Sequence, residues 1–182
     1  MRFGSLVALV PLALGWPAAA SARPDLRVVP DVDLGRYAGR WFEIARLPNR
    51  FQSKCDSEVT AVYTPRPDGR LTVTNRCRRA GGGIEEAVGV VRRVAGRPAS
   101  ILEVRFAPAF LSFLPAVWGD YQIIALDAHY RHAVVGTPDR QFLWVLSRTP
   151  RLETDVLQAL LAEAKAQGFD TGAVIRTPRA QP

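Results

Sequence analysis

From about residue 40 to residue 148 the chain is a succession of short strand-like segments separated by turn residues, with no helical segment between them. They lie near 40–47, 57–64, 70–77, 84–93, 101–106, 121–126, 133–136 and 141–148. Pro65-Arg66-Pro67-Asp68-Gly69, Gly81-Gly82-Gly83 and Gly96-Arg97-Pro98 supply turn chemistry between them. Parallel strands need long crossovers, usually helices, so this spacing disfavours a parallel α/β architecture. It predicts an all-β domain, an antiparallel up-and-down barrel or sandwich of eight strands.

Within this run, Gly39-Arg40-Trp41 opens the first strand, and Arg148 closes the last, after the apolar run Phe142-Leu143-Trp144-Val145-Leu146. In a barrel, Trp41 is suited to plug one end, with the Arg148 guanidinium stacked over its indole as a cation–π pair. A barrel plugged at one end is a cup, which is a shape suited to holding ligands.

The termini of the chain read differently. Residues 1–22 have the pattern of a signal peptide: Arg2, then the apolar stretch Leu6–Leu14, then the small residues Ala20-Ser21-Ala22. The mature chain is expected to begin near Arg23, with residues 23–36 an N-terminal extension, 37–177 the barrel domain and 178–182 a tail. No cysteine follows the expected cleavage site, so no lipid attachment point is expected. Removing Arg2 from the 24 basic residues leaves 23 against 17 acidic ones, a net charge of +6. The arginines are scattered, and no basic helix or aromatic–basic interleaving points to a nucleic acid.

Cys55 and Cys77 flank two strand-like runs joined by the turn at 65–69. In a hairpin they would lie nearly opposite one another, close enough to bridge in an oxidising compartment. A bridge over a loop of this size is worth about 3 kcal/mol in the chain-entropy estimate. With His129 and His132 the only histidines, no metal site is expected and no cofactor is implied. After Thr149-Pro150, one helix ends at Gly168, with Val156, Leu157, Leu160, Leu161 and Ala164 on one stripe. It is expected to pack outside the barrel, followed by a short ninth strand near 173–175.

Three pieces of this sequence resemble the lipocalin family, in particular the bacterial lipocalins related to apolipoprotein D. They are Gly39-Arg40-Trp41-Phe42-Glu43-Ile44-Ala45-Arg46, Ala125-Leu126-Asp127 with Tyr130-Arg131-His132-Ala133, and Leu143-Trp144-Val145-Leu146-Ser147-Arg148-Thr149-Pro150. The second departs from the usual Thr-Asp-Tyr, with Leu126-Asp127 and a displaced Tyr130. The cysteine that anchors some bacterial relatives as lipoproteins is also missing. The resemblance implies a barrel base built on Gly39, Trp41, Asp127 and Arg148, and a fatty acid or lysophospholipid as cargo.

Strand alternation then assigns side chains to the cavity. With Trp41 and Arg148 at the base, Glu43 and Ala45 on the first strand and Leu146, Trp144 and Phe142 on the last are expected to point inward. Glu43 would be a carboxylate in an apolar cup, and a structural pair with an arginine or tyrosine is the favoured reading over a ligand contact. The loops near 48–56, 78–83, 107–119 and 136–140 fall at the mouth. The segment 106–118 carries no charge and contains Phe106, Phe110, Phe113 and Trp118. An apolar loop at a rim is a candidate gate, membrane contact or dimer interface. Ligand contacts are expected from Trp118, Tyr121, Trp144, Phe142, Ala45, Phe106, Phe110 and Phe113, with the Tyr121 hydroxyl available to a headgroup. The reading is a non-catalytic carrier of an apolar molecule, exported to the periplasm, a monomer or weak homodimer, in solution or in peripheral contact with the outer membrane. A lipocalin-fold enzyme and an envelope interaction module acting through residues 106–118 are the alternatives.

Overall fold

The computed structural model describes residues 24–179, so the leader assigned to residues 1–22 lies outside the described residues. The strands are β1 (Gly39–Arg46), β2 (Cys55–Pro65), β3 (Leu71–Arg79), β4 (Ile84–Arg93), β5 (Ile101–Arg105), β6 (Gly119–Leu126), β7 (His132–Gly136), β8 (Leu143–Ser147) and β9 (Ile175–Arg176). Neighbours pair antiparallel in the order β2-β3-β4-β5-β6-β7-β8-β1-β9, and β1 also pairs with β2. That last pairing, Trp41 opposite Ala61, closes the sheet into a barrel with β9 as an extra strand beside β1. A helical turn, α1 (Leu34–Tyr37), precedes β1, and the helix α2 (Thr154–Ala166) follows β8.

Alternation along the strands feeds two separate apolar clusters. The inner one contains Tyr37, Trp41, Tyr63, Val73, Val91, Leu102, Tyr121, Ile123, Val135 and Leu146. The outer one packs the barrel wall under α2 through Ile44, Ala45, Ile124, Ala125, Val134, Leu143, Val145, Leu157, Ala164 and Phe169. β8 supplies both clusters, which explains its unbroken apolar sequence: Trp144 and Leu146 face in, Leu143 and Val145 face out.

Two bulges seat the helix. Glu43 faces Leu146 on β8, but Ala45 faces the very next β8 residue, Val145, so β1 carries an extra residue there. β6 does the same between Ile123 and Ala125 against Val135 and Val134. Each bulge turns two consecutive residues, Ile44-Ala45 and Ile124-Ala125, outward into the cluster under α2. Gly136 completes the seat: a Cβ there would lie 2.5 Å from the Phe169 ring. The helix starts later than Thr149-Pro150, at Thr154, because the Thr149 amide bonds Ser147 Oγ and its hydroxyl bonds the Arg151 carbonyl, which holds this stretch out of helical geometry. It ends before Gly168, whose φ of 90° suits glycine.

The base of the barrel is knotted by Arg148. Its guanidinium lies 3.9 Å over the Trp41 ring and donates to the carbonyls of Arg36, Tyr37, Arg40 and Tyr130. A desolvated pair of this kind is worth about 2 kcal/mol. Trp41 is fully buried and its indole N–H donates to Tyr37 O at 2.8 Å. Gly39, at a φ of 94°, lets the Arg148 side chain pass: a Cβ would sit 3.2 Å from Nη1. Asp127 organises the adjoining turn by accepting from the amides of His129, Arg131 and His132 and from Arg131 Nε. Partial burial pushes its carboxyl upward, but the His132 and Arg131 hydrogen bonds outweigh that and hold it below its usual value.

Cys55 and Cys77 form a disulfide with Cα atoms 5.5 Å apart. The pair bridges although Cys55 is in register with Arg79, because β2 is irregular between Cys55 and Thr60, where Glu58 adopts a φ of 56°. The end of the chain seals the seam that β1 and β2 leave open near the mouth. Thr177 N donates to Ile44 O, Glu58 N to Pro178 O, and Arg179 Nη2 to the carbonyls of Glu43 and Val59.

Candidate ligand-binding site

A cavity of about 130 Å³ opens inside the barrel, with Tyr63 and Tyr121 at its floor, Val73, Val104, Val135 and Leu146 on its walls, and Phe51, Phe106 and Trp144 toward the mouth. One water needs roughly 10–15 Å³ measured this way, so the space is several times larger than one water needs. The floor is a triad of phenols. The Tyr121 hydroxyl lies 2.7 Å from that of Tyr37 and 2.8 Å from that of Tyr63. Burial pushes Tyr63 up to about 12 and raises Tyr37 and Tyr121 well above the usual phenol range, so all three stay protonated at physiological pH.

One wall is polar. Glu43 is 3% exposed and borders the cavity. Its carboxylate accepts from Arg46 Nη1 at 3.0 Å, from Gln52 Nε2 at 2.6 Å and from the Thr177 hydroxyl. Gln52 Oε1 in turn accepts from Trp144 Nε1 at 2.9 Å and from Asn49 Nδ2. This ties the loop after β1 to the inner wall through a buried ion pair, the structural arrangement favoured for Glu43. Arg46 Nε is buried with no hydrogen-bond partner among the described residues.

The residues expected to contact ligand separate into four groups. Tyr121, Trp144 and Phe106 border the cavity. Tyr121 sits at the floor, however, and not near the mouth, so its hydroxyl does not meet a headgroup at the rim. Phe142 stands behind Trp144, its ring parallel at 6.0 Å, and touches Phe51. Phe110 and Phe113 are 74% and 76% exposed at the rim and do not border the cavity.

Two residues lie outside. Ala45 is turned by the β1 bulge into the cluster under α2, where a strictly alternating strand would have placed it inward. Trp118 packs on the outer wall between Arg92, at 3.7 Å from its ring, and Arg105, and its N–H donates to Ser112 O. This contact staples segment 106–118 to the barrel and leaves Phe110 and Phe113 projecting. Phe106 is seated by Gly89, where a Cβ would lie 2.8 Å from the ring.

Sequence reasoning missed Tyr37, Tyr63, Gln52, Phe51 and the inward-facing Arg46. Tyr63 was reachable by alternation along β2, since Ala61 and Tyr63 share the face of Val73 and Trp41. Gln52 and Phe51 belong to a loop, for which no periodicity exists to read. Among the described residues no group of three or more His, Cys, Asp or Glu side chains lies together, and no helix is long and apolar enough to cross a membrane.

Residues 32–179 match the family model of the lipocalin-like domain. The chain is a lipocalin. It is 38% identical over 177 residues to the outer membrane lipoprotein Blc of Escherichia coli K12, covering 96% of each chain. It is 36% identical over 160 residues to temperature-induced lipocalin-1 of Arabidopsis thaliana, covering 86% of this chain and 84% of that one. Among solved structures, lobster apocrustacyanin A1 superposes with a TM-score of 0.65 at 15% identity, over 91% and 94% of the two chains. Insecticyanin from the tobacco hornworm Manduca sexta does so with a TM-score of 0.63 at 20% identity, over 87% and 86%; these two likenesses concern the fold alone. The lipocalin family is one of small hydrophobic ligand binding and transport, and its members are generally binding proteins.

Proposed function

We propose that this lipocalin is a non-catalytic carrier of a single-chain amphiphile, a fatty acid or lysophospholipid, serving the lipids of the cell envelope after export. The observation that carries the reading is the cavity: narrow, apolar along its depth, open at the mouth and polar on one wall. A buried chain contributes about 0.8 kcal/mol per CH₂, so a tail of roughly a dozen carbons offsets the cost of association. The headgroup stays at the mouth, near the polar wall formed by Glu43 and Gln52.

The rim supports a role at a lipid surface. Phe51, Phe110 and Phe113 are each more than 60% exposed around one opening. Three such rings entering the acyl boundary would place the mouth against the membrane, where cargo is collected or released. Chemistry on the cargo is disfavoured, because both cysteines are held in the disulfide, and His129, in the turn before β7, and His132, the first residue of β7, lie at the opposite end.

Titration of delipidated protein with lysophospholipid or fatty acid, followed by tryptophan fluorescence, tests the reading. Saturable quenching that is strongly reduced in Trp144→Phe supports it. No change in fluorescence or in calorimetric heat with either lipid class contradicts it.

A further inference from the structure

The three phenols at the cavity floor carry three hydroxyl protons but make only two contacts with one another. No other hydrogen bond engages these hydroxyls among the described residues. One O–H donor is therefore always left over, whichever way the protons are arranged. Tyr37 is wholly buried beneath the cavity and does not border it, so a spare proton there would be stranded. The favourable arrangement has Tyr37 donating to Tyr121, which leaves the spare proton on Tyr121 or Tyr63, and both border the cavity. The nearest walls are Val73, Val104, Val135 and Leu146, which offer no side-chain acceptor, and the polar lining residues Thr60 and Asn75 accept no hydrogen bond from these hydroxyls.

A lone buried donor in an apolar shaft is costly unless something accepts from it. A hydrocarbon terminus cannot do so. A carboxylate is a poor occupant as well, since one neutral donor does not offset the desolvation of a full charge. A neutral oxygen satisfies both conditions. Burial keeps the phenols protonated, so the donor persists across physiological pH.

We propose that the floor of the cavity recognises a neutral oxygen acceptor, such as a ketone, at or near the far end of an acyl chain, so that the protein selects terminally oxygenated chains over plain ones. This rests on the single-chain reading above and adds the substrate class to it.

The test is calorimetric titration with dodecanoic, tetradecanoic and hexadecanoic acids, each with and without a ketone at the penultimate carbon. For the length that reaches the floor, the ketone is expected to tighten binding to the wild type about five- to tenfold, the effect of one net hydrogen bond. Tyr37→Phe is expected to keep that preference, because Tyr63 and Tyr121 still share one contact and leave one spare proton. The double substitution Tyr63→Phe with Tyr121→Phe removes both hydroxyls that border the cavity and is expected to bring the ratio to about one. Equal affinity of plain and ketone acids for the wild type at every length overturns the proposal while leaving the carrier reading intact, and so does a preference that survives the double substitution. If the double variant does not fold, the wild-type ratio and that of Tyr37→Phe still decide. Failure of every acid to bind overturns the carrier reading and this proposal together.

Discussion

At the closed end of the barrel, Trp41 is fully buried, Arg148 spends its guanidinium on four carbonyls, and Asp127 accepts from three backbone amides. At the open end, Phe51, Phe110 and Phe113 project into solvent, and Arg46 keeps a buried N–H without a partner. Each end holds aromatic rings and arginines in close company. What differs is satisfaction: the Trp41–Arg148 base has used its polar groups and hidden its rings, whereas the mouth leaves its rings exposed and one buried N–H unpaired. The base beneath the phenols is a structural device, and a ligand or a surface has something to gain only above it.

Substitutions break this contrast in opposite ways. The largest effect is expected at the floor, where Trp41→Ala removes a fully buried indole and costs about 3–5 kcal/mol. Urea denaturation measures it, and Arg148→Lys is expected to recover little of an Arg148→Ala loss, since an ammonium cannot span the same carbonyls while stacking. Cleaving the Cys55–Cys77 bridge with a reductant is expected to lower stability by about 3 kcal/mol, read by the same denaturation with and without reductant.

At the rim the sign of interest changes. Phe110→Ser with Phe113→Ser is expected to leave stability within about 0.5 kcal/mol, as for ordinary surface changes. The same pair is expected to weaken co-sedimentation with phospholipid vesicles by at least about tenfold, since each ring buried in lipid is worth about 1.5–3 kcal/mol. Unchanged vesicle binding would remove the membrane role from the mouth.

The gentlest effect concerns the floor triad and is silent at neutral pH. Burial raises Tyr63 to about 12, above an ordinary phenol near 10, and raises its two partners as well. The folded state therefore resists ionisation more than the unfolded one. Stability is expected to be level below pH 10 and to fall as pH rises from 10 through about 12. Denaturation midpoints across that window check it, with a shallower fall expected in Tyr63→Phe.

Much of the architecture was legible because the hydrophobic period is simple. The strand series, the hairpin bridge and the outer helix each follow from local pattern, and Trp41 with Arg148 marked the base. The errors trace to features with no local signal. Counting in twos from Trp41 points Ala45 inward, and one extra residue in β1 reverses the parity. An apolar loop at the rim points Trp118 toward the cavity, yet the guanidinium groups of Arg92 and Arg105 hold it on the outer wall. Tyr37 precedes the first strand, so no alternation argument reaches it, and its place in the floor appears only once α1 folds under the barrel.

The cavity is proposed to hold one single-chain amphiphile. Native mass spectrometry of the protein purified from its own host weighs what is bound. An added mass matching one fatty acid or one lysophospholipid is expected, lost on delipidation and restored by adding that lipid. A protein that carries a two-chain lipid or a ring-system pigment, or that flies bare and stays bare after lipid is added, would contradict it.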